Sequence, residues 1–296
     1  MHANPVNAGH YENFPVASLV LPRGLRAPVR ALYAFARSAD DFADEGEHPV
    51  EWRLARLAEY HEHLHALERG ETSTHPIFQA LAPVIRAYGL PYAEFHALLS
   101  AFEQDCEKTR YAHFGEVMDY CRRSANPVGR LMLGLFKDAD PKHQAWSDGI
   151  CAALQLTNFL QDIAVDWQKG RVYLAQDEMA RYGISERQIG EGRVDALWQQ
   201  FMKEQVERTR RMLQAGAPLG LALPGRIGLE MRLIIQGAAR ILEKLHESRG
   251  DVFTQRPRLG WKDAPVVLKR ALFPAQRKSG GASGGCGSGS CGVKGP

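Results

Sequence analysis

Helical periodicity runs through most of this chain, and strict apolar–polar alternation of the kind a half-buried strand needs is nearly absent. The clearest case lies near the C-terminal end. Leu229, Leu233, Gly237, Ile241 and Leu245 recur at every fourth position, with Ile234 and Leu242 beside them. That spacing puts them all on one face of a helix. The same pattern predicts helices over roughly 24–46, 50–69, 76–88, 91–108, 113–136, 141–168, 193–216, 219–250 and 262–272, with ends good to about two to four residues. Short Pro- or Gly-bearing loops such as ETSTHP and YGLP separate them. The expected fold class is all-α: one domain over 1–275, a helical bundle around a central cavity.

Composition narrows the function classes. With 296 residues, 45% hydrophobic and 24% charged, the chain can bury an ordinary core without disulfide staples. A net charge of +3 and the lack of any run of five like charges argue against a nucleic-acid partner. Nothing approaches 18 consecutive apolar residues, and the first residues lack a signal-peptide pattern. The five cysteines are odd in number and widely spaced, which fits reduced thiols. These features predict a cytoplasmic protein. The stretch 276–296 is dominated by glycine and serine and is expected to be a disordered tail. No strand–loop–helix context supports reading its glycines as a phosphate loop.

Two acidic stretches carry the chemistry. In DDFAD, Asp40 and Asp44 are four residues apart; in DIAVD, about 120 residues later, Asp162 and Asp166 are too. On a helix over 29–45, Leu32, Phe35, Ala36, Ala39, Phe42 and Ala43 form the apolar stripe. Tyr33, Arg37, Asp40 and Asp44 gather along one edge of it, within about 60°. On a helix over 150–167, Asn158, Asp162 and Asp166 step along the edge of a stripe of Leu156, Phe159, Leu160 and Ile163, with Gln155 beside them. Lys169, Arg171 and Tyr173 follow at once.

One reading is two solvated faces, with Arg37 paired to Asp40 or Asp41. The other is one metal site. Like charges stacked at i, i+4 and anions at a helix C-terminus both cost stability, and a bound cation offsets both. Carboxylates and an asparagine are oxygen ligands, suited to Mg²⁺ rather than zinc. Mg²⁺ commonly binds through few carboxylates plus substrate phosphates, so the pattern suggests a diphosphate whose departure is stabilised by metal and arginine.

Three segments carry a resemblance: YAFARSADDFADE (33–45), YCRRSANPVGRL (120–131) and LQLTNFLQDIAVDWQKGRVYLAQDEM (154–179). Over roughly residues 11–275 the chain resembles the squalene/phytoene synthases, head-to-head isoprenoid synthases. The resemblance implies an all-α isoprenoid-synthase fold and a Mg²⁺ cluster on Asp40, Asp44, Asn158, Asp162 and Asp166. It implies diphosphate contacts from Tyr33, Arg37 and Arg171, a polar pocket position at Gln155, and Tyr173 among the substrate-binding residues. Within the family the chain looks most like the hydroxysqualene synthases of bacterial hopanoid pathways, on the cue of ENFPVAS (12–18) and the following LPRGLRAPVRALYAFAR. Gln161 stands where condensing relatives carry an arginine, and losing that cation is expected to weaken diphosphate contacts.

The implied substrate is presqualene diphosphate, with farnesyl diphosphate as the alternative of a condensing enzyme. The implied product is hydroxysqualene, and no NADPH is expected. Presqualene diphosphate synthase and a hydroxysqualene reductase are the implied functional neighbours. Pro127 is expected to kink its helix, so that freed carbonyls, or Asn126, can position a water.

Other features read more plainly. His61 and His65 sit at i, i+4 with no third ligand evident, beside Glu59, Glu62 and Glu68, and read as a polar face. Cys286 and Cys291 are too few for a zinc site. Met202, Met212 and Met231 read as core filling. Phe14, Tyr33 and Phe159 offer π faces to a cation, although core packing is the commoner role for such residues. WKDAPVVLKRALF (261–273) reads as a last helix packed on the bundle, with peripheral contact at the inner membrane as the alternative. Two other classes fit less well: a noncatalytic interaction subunit, which four intact motif aspartates argue against, and a metallophosphohydrolase, which would want histidine among its ligands.

Overall fold

The computed structural model describes residues 20–274. ENFPVAS with Phe14, and the Gly/Ser stretch with Cys286 and Cys291, lie outside them. The described chain is all-α, as expected. Its helices are α1 (Arg23–Asp44), α2 (Val50–Glu68), α3 (Pro76–Tyr88), α4 (Tyr92–Glu107), α5 (Phe114–Ser124), α6 (Asn126–Leu135), α7 (Pro141–Gln168), α8 (Gln176–Arg181), α9 (Glu186–Gly190), α10 (Ala196–Gly216), α11 (Leu219–Ala222), α12 (Gly225–Glu247) and α13 (Ala264–Leu272).

Two expected helices are each broken in two. The stretch 113–136 divides at Ala125, because Pro127 occupies the first turn of α6. Proline lacks the N–H a continuous helix needs but is well suited to a first turn. So Pro127 starts a helix rather than kinking one. The stretch 219–250 divides at Leu223 and Pro224, both extended, with Pro224 as the residue that precedes the first turn of α12. The structure also adds a short parallel pair, β1 (Arg110–Tyr111) and β2 (Val172–Ala175), which local alternation could not announce.

The apolar stripes fill connected cores. The stripe of α1 packs with α2, α3 and α4; Phe35 is fully buried and meets Phe78 and Phe95 edge-on at 5.9 and 5.3 Å. The second core joins α7, α10 and α12 around Trp198, Phe201, Ile241 and Leu245. Met202 is buried in it, with Met212 and Met231 partly buried against it, as core filling predicts. A third, smaller cluster of Tyr111, Tyr120, Leu156 and Phe159 lies along the strand pair and α7.

α13 docks on α12. Arg232 Nε donates to the Ala271 carbonyl at 2.7 Å and Arg270 pairs with Glu243 at 2.6 Å. Its outer side leaves Leu268, Leu272 and Phe273 exposed, next to an 82%-exposed Trp261. No helix among the described residues is long and apolar enough to cross a membrane.

Candidate active site

The site forms where the end of α1 meets the end of α7. α7 closes with a Schellman-type turn: Arg171 N–H donates to the Asp166 carbonyl at 2.8 Å, and Gly170 adopts φ +76°. That left-handed conformation suits glycine. The reversal carries the chain into β2 and swings Arg171 over the acidic end of α1.

There Arg171 uses its planar fork on two partners. Nη1 pairs with Asp44 Oδ1, and Nη2 donates to the Asp105 carbonyl at 3.1 Å. Lys169 Nζ reaches the other Asp44 oxygen at 3.0 Å. Burial works against the Asp44 carboxylate, but Arg171 and Lys169 outweigh it and hold its pKa below the ordinary value. Asp44 and the loop after α7 are thus joined across 127 positions of sequence.

Arg37 divides between Asp40 Oδ2 at 3.1 Å and Asp41 Oδ1 at 2.6 Å. These are the helix pairs of the plainer sequence reading, and both exist. They do not neutralise the face, however. Burial and the charge of Asp44 push the Asp40 carboxyl up to about 7 despite Arg37. Asp166 behaves alike: burial and the Asp162 charge push it to about 7, with Asp44 adding to the effect. The two aspartate pairs therefore feel one another's field and form one electrostatic unit. No three of these carboxylates bring an oxygen each within 4.8 Å of one another. Asp44 and Asp162 are instead drawn onto cations.

The cation on Asp162 is Arg256, which sequence reading missed. It grips the carboxylate with Nε on Oδ1 and with Nη2 on Oδ2 at 3.0 Å. Gln161, expected beside the acidic cluster, points elsewhere. Its side chain is 1% exposed, and Nε2 donates to the Pro257 carbonyl at 2.6 Å. Thus the residue before Asp162 anchors the segment that delivers a guanidinium to Asp162. An arginine at 161 would have to enter that buried contact. We expect Gln161→Arg to lower the melting temperature, since the Pro257 carbonyl loses its donor and a charge is buried, a cost of about 1–3 kcal/mol or more. An unchanged melting temperature with tighter pyrophosphate inhibition would restore the earlier expectation for this position.

A second missed residue is Asp105, at the end of α4. It is 7% exposed and accepts from Tyr120 at 2.5 Å and from Tyr173 at 3.1 Å. Burial raises its pKa to about 6, against the pull of Tyr120, Arg171 and Tyr173. Tyr173 therefore spends its hydroxyl on Asp105 and presents its ring to Phe159, stacked at 3.9 Å and 5°. Phe159 is largely buried, yet with Tyr173 it lines a small pocket of mixed character that also meets Leu156, Thr209 and Arg208.

The remaining expected residues lie along the same helices. Tyr33 and Gln155 are half-buried and Asn158 is exposed on α7. Tyr33 and Asn158 also take part in polar or ring contacts. At the α5–α6 break, Ser124 Oγ and Asn126 Oδ1 are buried without a hydrogen-bond partner.

The donor chemistry fits a hard divalent cation: four carboxylates and an amide oxygen, with no histidine or thiol among them. Asp40, Asp44, Asn158, Asp162 and Asp166 are the residues able to hold it.

Comparison with known proteins identifies the family. Residues 7–263 match the family model described as squalene/phytoene synthase. The chain is 36% identical over 236 residues to the hydroxysqualene synthase of Rhodopseudomonas palustris, covering 79% of each chain. It is 33% identical over 244 residues to that of Zymomonas mobilis, covering 80% of each. A phytoene synthase of Mycobacterium tuberculosis matches at 33% over 183 residues, covering 62% of this chain and 59% of its own length. Among solved structures, the squalene synthase HpnC of Alicyclobacillus acidocaldarius superposes with a TM-score of 0.75 at 35% identity, over 81% of this chain and 90% of its own. A ligand-bound dehydrosqualene synthase shares the fold, with a TM-score of 0.76 at 21% identity over 86% and 88%. The chain belongs to the squalene/phytoene synthase family.

Proposed function

We propose that this chain is a Mg²⁺-dependent hydroxysqualene synthase, converting presqualene diphosphate and water to hydroxysqualene and pyrophosphate. The observation that carries the reading is the approach of the two aspartate pairs: Lys169 and Arg171, at the end of α7, hold Asp44, Arg256 holds Asp162, and the charge of Asp44 acts on Asp166. The hydroxysqualene synthases among its relatives support the choice of substrate.

Asp40, Asp44, Asn158, Asp162 and Asp166 would hold Mg²⁺, which would supply Lewis-acid stabilisation to the leaving diphosphate. The chain's own cations do the rest of that work. Arg171, Lys169 and Arg256 now neutralise carboxylates; when substrate arrives, the same groups are placed to turn toward its phosphate oxygens. Arg37 and Tyr33 line the α1 side and Gln155 the α7 side. The scissile C–O bond breaks with its electron pair leaving on pyrophosphate. The cyclopropylcarbinyl cation rearranges beside the Phe159–Tyr173 π stack, which favours a cation over its face. Water then supplies the electron pair of the new C–O bond, and the released pyrophosphate takes its proton. No hydride enters the balance, so no NADPH is required.

Asn126 is the candidate for holding the water, because its Oδ1 is buried and open for a donor. In ¹⁸O-labelled water the product alcohol is expected to carry one ¹⁸O. Asn126→Ala is expected to divert product toward alkenes formed by proton loss. An unlabelled alcohol would refute water capture, and an unchanged product ratio would remove Asn126 from it.

The elevated carboxylates make the metal claim testable without turnover. Asp40 and Asp166 cost the folded state nothing below the ordinary aspartate value near 3.8, where both states are protonated. The cost grows as pH rises and is complete above about 7, where the folded state must carry both charges. A divalent cation binds the ionised form and relieves that cost. MgCl₂ is therefore expected to raise the melting temperature more at pH 8 than at pH 6; an equal or smaller rise at pH 8 would contradict the assignment.

Condensation of two prenyl diphosphates is the second reading, favoured by the phytoene synthases among the relatives. In either case the exposed apolar edge at Trp261, Leu268 and Phe273 is a place where a lipid-tailed substrate can be gathered from a membrane surface. Under the main reading, a presqualene diphosphate synthase supplies the substrate and a hydroxysqualene reductase consumes the product.

A further inference from the structure

The histidines of HEHLH acquire a partner that the sequence hides. His61 and His65 lie one turn apart on α2, and folding brings His96 of α4 against both. The His61 and His96 rings stack at 4.8 Å, with their Nδ1 atoms 2.6 Å apart, and His65 stacks on His96 at 4.5 Å. Glu68 closes the group: its Oε2 lies 3.0 Å from His65 Nδ1 and 3.8 Å from His96 Nε2.

Among the described residues, His65, Glu68 and His96 form the one group of three in which histidine, cysteine or carboxylate ligand atoms lie within 4.8 Å of one another. His96 Nε2 is itself buried and makes no hydrogen bond. If His96 Nδ1 shares the proton between it and His61, its Nε2 is left facing a carboxylate oxygen too distant to bond. In a tetrahedral zinc site, neighbouring N and O ligands sit about 3.4 Å apart, each about 2.0–2.2 Å from the metal. The Nε2–Oε2 gap of 3.8 Å is close to that span. Burial and the neighbouring histidines also hold His96 below the ordinary histidine range, which favours the neutral, ligating imidazole.

We propose that His65, Glu68 and His96 form a second metal site, for Zn²⁺ or a similar borderline divalent ion, tying α2 to α4. Two imidazoles and one carboxylate are the donor set such ions prefer; Mg²⁺ prefers oxygen alone. Three protein ligands leave a fourth position for water. His61 holds the His96 ring from behind, as partners of metal-bound histidines do. Glu103 lies 3.4 Å from His61 Nε2 and continues that chain. The site is separate from the aspartate cluster and does not depend on the proposed reaction. Its mechanical consequence is a clip between two helices, one of which carries Asp105, the anchor of Tyr173 and Arg171, in its last turn.

The test is zinc titration by calorimetry on the full chain carrying Cys286→Ser and Cys291→Ser, with saturating MgCl₂ present. The two cysteines outside the described residues then cannot bind the zinc, and the aspartate cluster is offered its own ion. One equivalent of Zn²⁺ is expected to bind and to raise the melting temperature. His96→Ala is expected to weaken binding by on the order of 100-fold, as is His65→Asn, a change at a half-exposed position that should leave the fold intact. Asp162→Ala is expected to leave zinc binding unchanged. Co²⁺ in place of Zn²⁺ should give the intense visible absorption of a tetrahedral nitrogen–oxygen site. Absent zinc binding, or binding that survives in both histidine variants, would overturn the proposal.

Discussion

Replacing Asp40 or Asp162 with alanine is expected to cut turnover by on the order of 10³-fold while the protein stays folded. The two variants should nonetheless differ in stability. Asp40 sits one turn from Asp44 and carries a carboxyl that burial and that neighbour push to about 7. Its removal relieves repulsion, so the metal-free melting temperature should hold or rise. Asp162 instead receives the bidentate grip of Arg256, whose side chain is only 20% exposed. Removing it strands a partly buried guanidinium, and the melting temperature should fall. Activity and thermal unfolding of the two purified variants check both halves. Full turnover in either variant would break the assignment of one shared site. A stability loss for Asp40→Ala larger than for Asp162→Ala would break the electrostatic account.

The second large effect is expected at Arg171. It joins Asp44 to the Asp105 backbone and, in the proposed reaction, turns to the departing diphosphate. Arg171→Ala is expected to lower turnover by on the order of 10²–10³-fold and to weaken inhibition by pyrophosphate. Arg171→Lys keeps the charge but cannot form the fork, so it should recover only part of the loss. Kinetics with pyrophosphate as inhibitor separate the outcomes. If lysine restores full activity, charge alone suffices and the planar two-partner geometry has no catalytic role.

What the sequence made legible follows the range of the interactions concerned. The i, i+4 aspartates and the apolar stripes beside them are local, and α1 and α7 appear where periodicity predicts them. The breaks at Ala125 and Leu223 were readable only in part: proline marked both, but whether it kinks a helix or begins one depends on the packing on each side. The β1–β2 pair forms across about 60 residues and leaves no alternation to detect. Arg256 reaches Asp162 across 94 positions from a segment without regular structure. Asp105 looked like one more polar residue on a helix, although a carboxylate in line with Leu98, Ala101 and Phe102 was a signal that it is buried. His96 was hidden for the same reason, since only the packing of α2 on α4 makes it a neighbour of His61 and His65.

In the proposed reaction the aspartate cluster ionises presqualene diphosphate and water captures the cation. The measurement that addresses this most directly incubates the purified protein with Mg²⁺ and no reductant, once with presqualene diphosphate and once with farnesyl diphosphate, and identifies products by mass spectrometry. Hydroxysqualene and pyrophosphate from presqualene diphosphate, with farnesyl diphosphate unchanged, is the predicted result. Presqualene diphosphate formed from farnesyl diphosphate, with no alcohol from the first reaction, would contradict it and make the chain a condensing enzyme.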